Sequence, residues 1–319
     1  MSLILRETGL FSLLVDGGRP CSRSLGVPLG GAADRAAHAL GNALVGNPPD
    51  ALALEITLAG PTLEAVHPTA IVVFGAPFPI VAGDRVIAAG TTFTLERGEV
   101  LRIGTTPTSC RGYVCVAGGF QGREILGSQS SLEPLAAGEL ACPASRIEAR
   151  SLPFPTSPKD ASDTVRVVDG PQRGWFTDET FFQAPYQVTP ACNRMGLRLR
   201  GPLLNRVPGE LVSEAVSPGA VQVTNDGQPI VLGVDGQTIG GYPKIAHVIR
   251  ADLDRLAQLR PGDWVRFSRV TLEDATAASR ARTKAIEVWL RRLATAHGAP
   301  AFDKAAGLID GLLPPKDVR

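Results

Sequence analysis

The chain has 319 residues, 44% of them hydrophobic and 20% charged, which excludes wholesale disorder and leaves room for two domains. Lysine plus arginine number 32 against 31 aspartates and glutamates, a net charge of +1. No global field therefore draws the protein to nucleic acid or an anionic membrane, and neither is expected as a partner.

The first predicted helix starts at Asp34 as cap and Ala36-Ala37, carries Leu40, Ala43 and Leu44, and stops at Gly46-Asn47-Pro48-Pro49. Next, Leu52, Leu54, Ile56 and Leu58 alternate with Ala53, Glu55 and Thr57, a strand that turns Glu55 away from the leucines. Ile71–Phe74 reads as a buried strand, and Ile80–Ala82 with Arg85–Ile87 as a hairpin around Gly83-Asp84. Further strands are expected at Val100–Ile103 and Tyr113–Val116. The proline-rich stretch 151–163 reads as a linker or surface excursion. Beyond it, strands are expected at Val165–Val168, Ala220–Val223, Pro229–Leu232, Ile245–Ile249 and Trp264–Phe267, with a short helix over Asp252–Leu259. Thr271 to Asp274 has the form of a capping box opening an amphipathic helix to about Ala296, packed on the protein or docking another subunit. So many short strands between turns, with 35 glycines and 26 prolines, point to a mainly β protein with α+β elements, built on a barrel or sandwich. The expected divisions are 1–160, 161–270 and a helical extension over 271–319.

Several chemistries lack their residues. The sequence has no P-loop, no dinucleotide-binding glycine fingerprint, no nucleophile elbow and no H-E-x-x-H. Its four histidines are isolated, its five cysteines are scattered without a C-x-x-C pair, and no metal site is expected. No apolar run reaches the ~18 residues of a membrane span. The start, Met1 to Glu7, lacks a basic segment followed by a long apolar stretch, so a cytoplasmic location is expected.

Polar residues gather in two glycine-rich regions. In the first, Asp16-Gly17-Gly18-Arg19 and Gly26 to Asp34, Arg19 either pairs with Asp16 or Asp34 to pin a loop, or binds a carboxylate. The second holds Asn193, Arg194, Glu214, Gln222, Gln228, Gln237, Thr238, Tyr242 and Lys244. Amide side chains offer a donor and an acceptor each and suit an amide or lactam. Glu214 is the candidate acid or base, and Arg194 and Lys244 are candidates to hold a carboxylate or an oxyanion. Single members of this group also have a plain use in satisfying loop backbone.

The ordered segments Asp16 to Pro20, Gly26 to Asp34, Ala43 to Asn47, Leu54 to Thr57, Val116 to Gly119, Gly170-Pro171-Gln172, Asn193 to Gly196, Leu211 to Glu214, Gly227 to Ile230, Gln237-Thr238, Gly240 to Pro243 and Leu259 to Asp263 resemble the allophanate hydrolase subunit 2 family. That family includes a component of bacterial 5-oxoprolinase and carboxyltransferase domains of urea carboxylase. The resemblance implies a cyclophilin-like β-barrel with an accessory α+β domain. It also implies a sister subunit of related barrel fold, similar to allophanate hydrolase subunit 1, and a small amide or lactam substrate. The chain is then a non-ATP-binding subunit of a 5-oxoprolinase-like or urea amidolyase-like complex. Its alternatives are a biotin-dependent carboxyltransferase subunit and a non-catalytic regulatory or binding protein. Met1 and Met195 are the only methionines, so no Met-Lys-Met biotin site exists, and ATP or biotin would arrive on a partner chain. Three positions depart from the family pattern: Val15 where glutamine is usual, Asn193 where aspartate is common, and Gly236 where arginine is common.

Overall fold

A computed structural model describes residues 2–131, 133–151 and 163–296. Most of the expected linker, and everything after Ala296, lies outside the described residues. The chain divides into two units. Among the described residues, one holds 2–20, 35–151 and 284–296, and the other holds Cys21–Asp34 and 163–283.

In the first unit the strands are β1 (Ser2–Glu7), β2 (Phe11–Val15), β3 (Ala53–Thr57), β4 (Thr62–Ala65), β5 (Thr69–Gly75), β6 (Ile80–Ala82), β7 (Arg85–Ile87), β8 (Phe93–Leu95), β9 (Val100–Ile103), β10 (Arg111–Val116) and β11 (Gly138–Ala141). They form a six-stranded sheet, β11-β1-β4-β9-β6-β7, and a five-stranded sheet, β2-β3-β10-β5-β8. Alternation explains how the sheets meet. Leu3, Leu5, Leu63 and Leu101 from one and Leu54, Ile56, Val73 and Val114 from the other fill a single core. The opposite face of the five-stranded sheet is covered by helix α1 (Arg35–Leu44). Glu55 therefore points away from the leucines, as expected, yet is buried. Its carboxylate accepts from the Tyr113 hydroxyl at 2.8 Å and faces Arg111 at 3.5 Å.

The second unit is a closed barrel. Its strands are β12 (Thr164–Asp169), β13 (Tyr186–Val188), β14 (Gly196–Arg200), β16 (Ala220–Val223), β17 (Pro229–Leu232), β19 (Lys244–Val248) and β20 (Trp264–Arg269), in the order β12-β19-β16-β17-β14-β13-β20. Two short strands, β15 (Glu214–Ala215) and β18 (Ile239–Gly240), pair as a separate ribbon. Val165, Val167, Val221, Val223, Val231, Val248 and Phe267 fill the barrel. Phe181, from the short helix α2 (Thr180–Gln183), stacks on Phe267 at 4.5 Å.

The helix expected over 252–259 is shorter in the structure. A 3-10 turn, Arg250–Asp252, leads into α3 (Leu253–Leu256). Asp252 is buried and accepts from Arg166 through the backbone nitrogen at 2.8 Å and Nη2 at 2.6 Å, which ties this turn to β12. Helix α4 (Leu272–Ala296) opens as expected, with the Asp274 nitrogen donating to Thr271 Oγ1 at 3.1 Å. Near its start, Ala275 and Ala278 pack on Ile249, Ala251 and Val270.

Segment 21–34 departs from the expected division at 160. It belongs to the barrel unit because its polar backbone is satisfied there: Gly30 N donates to Val234 O at 2.9 Å, and the Gly31 carbonyl accepts from Arg194 Nη2 at 2.6 Å.

Candidate active site

On the barrel, β16 and β19 place Gln222 opposite Lys244, just past an irregularity in their register. The β15–β18 ribbon pairs Glu214 with Gly240. These two facts bring distant segments together. The buried Lys244 ammonium donates to Glu214 Oε1. Gln172, in the turn after β12, donates from Nε2 to the same oxygen at 2.7 Å and accepts the Lys244 backbone N–H at 3.1 Å. Gln237 Nε2 approaches Gln222 Oε1 at 3.4 Å. Gly240 lies so close that a Cβ there would sit 2.5 Å from Gln222 Nε2.

The group is electrostatically ordered. The Lys244 hydrogen bond is the main cause that holds the Glu214 carboxyl below its usual range, and the Gln172 amide adds to it against the opposing effect of desolvation. Glu214 is thus an anion at neutral pH, paired with the Lys244 ammonium. Gln222 is 1% exposed, and its Nε2 has no hydrogen-bond partner among the described residues. A buried amide donor left without a partner is costly. Gln222 thus stands on β16 as an unsatisfied buried donor opposite Lys244.

Arg194 has another task. Its Nε and Nη2 form a forked pair with Asp235 at 2.6 and 3.0 Å, and Nη2 also reaches the Gly31 carbonyl. It fixes the loop leading to Gln237. Thr238 is buried, its carbonyl accepting from Val216 N at 3.0 Å, and Tyr242 is exposed in the 240–244 turn.

Sequence and fold comparisons agree on the relationship. Residues 25–269 match the carboxyltransferase domain, subdomain A and B. The chain belongs to this carboxyltransferase-domain family. It is 33% identical over 304 residues to a 5-oxoprolinase subunit of Escherichia coli (strain K12), an alignment that takes in 90% of this chain and 97% of that protein. Against the corresponding 5-oxoprolinase subunit of Haemophilus influenzae it is 33% identical over 285 residues, spanning 83% and 90%. The crystal structure of the K. lactis urea amidolyase matches with a TM-score of 0.82 at 27% identity, over 90% of this chain and 20% of that one. The chain therefore spans about a fifth of that amidolyase.

The other candidates hold family loops in place. Gln228 accepts from Gly201 N at 3.0 Å and donates to Gly201 O at 3.1 Å. Asn193 Oδ1 accepts from Met195 N at 2.9 Å, closing a turn as an aspartate would. Gly236 packs so that a Cβ would lie 3.0 Å from the Gly233 and Met195 carbonyl oxygens, leaving little room for an arginine on this backbone. Val15 is buried in β2. Asp16 and Arg19 belong to the first unit, and neither of the expected pairings of Arg19 is the one its guanidinium makes. Buried Arg19 donates to the carbonyls of Ile125 at 2.9 Å and Ser130 at 2.7 Å. Asp16 accepts from the Ser128 and Ser130 hydroxyls at 2.6 Å. Both pin the 125–130 segment.

Gln172 is the member that site reasoning from sequence misses. Its signal is the preceding Gly170, where a Cβ would lie 2.3 Å from the Lys244 carbonyl oxygen. That glycine lets the Gln172 turn lie against β19.

Proposed function

We propose that this protein supplies the amide-recognition site of a 5-oxoprolinase-like complex, acting in the cytoplasm on a small lactam or amide bearing a carboxylate. The observation that carries this reading is the orphaned Gln222 donor, buried beside the Glu214–Lys244 pair. Gln222 Nε2 and the Lys244 ammonium would donate to the substrate carbonyl oxygen as negative charge develops on it. The Glu214 carboxylate would take the proton of the attacking water, and Gln172 would hold that carboxylate in place. Arg194 would position the Gln237 loop. A sister subunit of related fold is the expected partner, and ATP would be carried on a partner chain, where it would supply the energy for ring opening. The relationship to the two bacterial subunits over nearly their whole length supports this assignment.

The test is 5-oxoproline turnover, with and without ATP, in lysates of Escherichia coli lacking its own homologous subunit and supplied with this chain. Restored ATP-dependent turnover that is lost with Glu214→Gln supports the reading. Assembly without turnover, unaffected by Glu214→Gln, points instead to a binding role.

The matched family description and the likeness to urea amidolyase favour a second reading. Here the same residues would serve a carboxyl transfer, with the carboxyl group brought by biotin on a partner. The Gln222 and Lys244 donors also suit a ureido or carboxyl oxygen. Pull-down of a biotinylated carrier with this chain would select it.

A further inference from the structure

The barrel carries a second pairing of a polar side chain with a base. Ser217 Oγ lies 2.9 Å from His247 Nε2. The other ring nitrogen, Nδ1, lies 2.9 Å from the Val248 carbonyl oxygen. A carbonyl oxygen only accepts, so Nδ1 carries the ring proton and Nε2 receives the serine hydroxyl. Burial pushes the imidazole pKa below its ordinary value, which keeps Nε2 free of a proton at neutral pH. A hydroxyl within hydrogen-bond reach of a base that is itself oriented by a third group is the arrangement of an activated nucleophile.

The backbone is shaped to present it. Ala220 N donates to Ser217 O at 3.0 Å, closing a turn over Pro218 and Gly219. Gly219 has φ +92°, the conformation a type II turn requires after proline. A Cβ at Gly219 would lie 3.0 Å from His247 Cε1, so the turn lies directly against the ring. Ser217 is half-buried and reaches solvent. A cation reaches the residue just before the serine. Arg23 Nη2 donates to the Val216 carbonyl, one peptide bond from Ser217, and its Nη1 is buried without a hydrogen-bond partner among the described residues.

We propose that Ser217 is an acyl-accepting nucleophile toward activated esters, with His247 as its base and Arg23 as the donor to the developing oxyanion. In the attack on an aryl ester, the Oγ–carbonyl carbon bond forms and the bond to the aryl oxygen breaks. The serine proton passes to His247 Nε2 and from there to the departing phenolate. Water, deprotonated by the same nitrogen, then cleaves the acyl-serine and restores the hydroxyl. This chemistry is independent of the Glu214–Lys244 group and of any partner chain.

The test is to treat the full-length protein with a fluorophosphonate probe and map adducts by tandem mass spectrometry. In that reaction the Oγ–P bond forms, the P–F bond breaks and fluoride leaves with its electron pair. Ser217 is expected to be the modified serine. Heat denaturation should abolish labelling, H247Q should slow it at least tenfold, and R23Q several-fold. Native protein without an adduct on Ser217 overturns the proposal, and this measurement needs no variant to fold. An unchanged labelling rate in an H247Q protein with a native circular dichroism spectrum overturns it as well, leaving the pair as a pin for the turn.

Discussion

Lys244 reaches Glu214 from a side chain that is 7% exposed, while Glu214 itself is 41% exposed. A buried cation thus holds a carboxylate that solvent can reach. Removing the carboxylate leaves the buried charge without its counterion. Glu214→Gln is expected to lower turnover of the assembled complex by about 10²- to 10⁴-fold, the range for a lost general base. Steady-state kinetics checks this.

The same pair sets a pH dependence. The Glu214 pKa is depressed on folding, mainly by Lys244. Its stabilising contribution is therefore complete above the ordinary value of 4.5 and is lost as pH falls through the lower folded value. Urea unfolding across pH 3–8 should show a constant gap between the native protein and Glu214→Gln above about pH 5. The gap should shrink at more acid pH. A gap that widens toward acid would contradict the assignment.

Gln222 and Gly240 offer a separation of stability from activity. Gln222→Met removes a buried donor without a partner and should stabilise the barrel by about 1 kcal/mol, while turnover falls. Gln237, which loses an acceptor, is exposed and can bond to water instead. In Gly240→Ala the new Cβ would contact Gln222 Nε2, so the amide must swing aside. Turnover should drop with little change in the unfolding midpoint. Thermal melts and kinetics on both variants decide the matter.

Asp252 is a structural counterpart. It is 2% exposed and takes three hydrogen bonds from Arg166. Asp252→Ala should cost about 1.5–3 kcal/mol, the scale for lost hydrogen bonds to a charged group, since the partner Arg166 is half-exposed and can turn to water; urea denaturation measures it. Asp16→Ala in the first unit should cost about 1–2 kcal/mol and raise hydrogen exchange at Gln129 and Ser130. At Asp16, burial opposes ionisation, but the Ser128 and Ser130 hydroxyls and two backbone N–H groups outweigh it and lower the pKa.

The strands are legible in the sequence because their apolar residues alternate. Leu54 and Ile56, Val165 and Val167, and Val221 and Val223 each place one face in a core. Period alone also turns Glu55 away from the leucines, but not toward a covering helix, since that depends on where α1 lands. The helix after β19 reads longer in the sequence than it is in the fold. Leu253, Leu256 and Leu259 keep helical spacing beyond the turn that Asp252 and Arg166 define. Within the candidate site, residue type singles out Glu214, Gln222, Gln237 and Lys244. It does not separate them from Gln228 and Asn193, which carry the same chemistry but spend it on Gly201 and Met195. That distinction rests on pairing between segments far apart in the chain, which local pattern does not encode.

The early residues 21–34 find bonding partners far along the chain, at Arg194, Val216, Val234 and Gln258, whose side chain donates to Asp34 at 2.7 Å. During synthesis at about 5–20 residues per second, this stretch emerges from the ribosome tens of seconds before Gln258 does. The barrel itself closes only when β20 pairs with β12, so a nascent chain halted before Trp264 would display an open sheet edge for chaperones or proteases to seize.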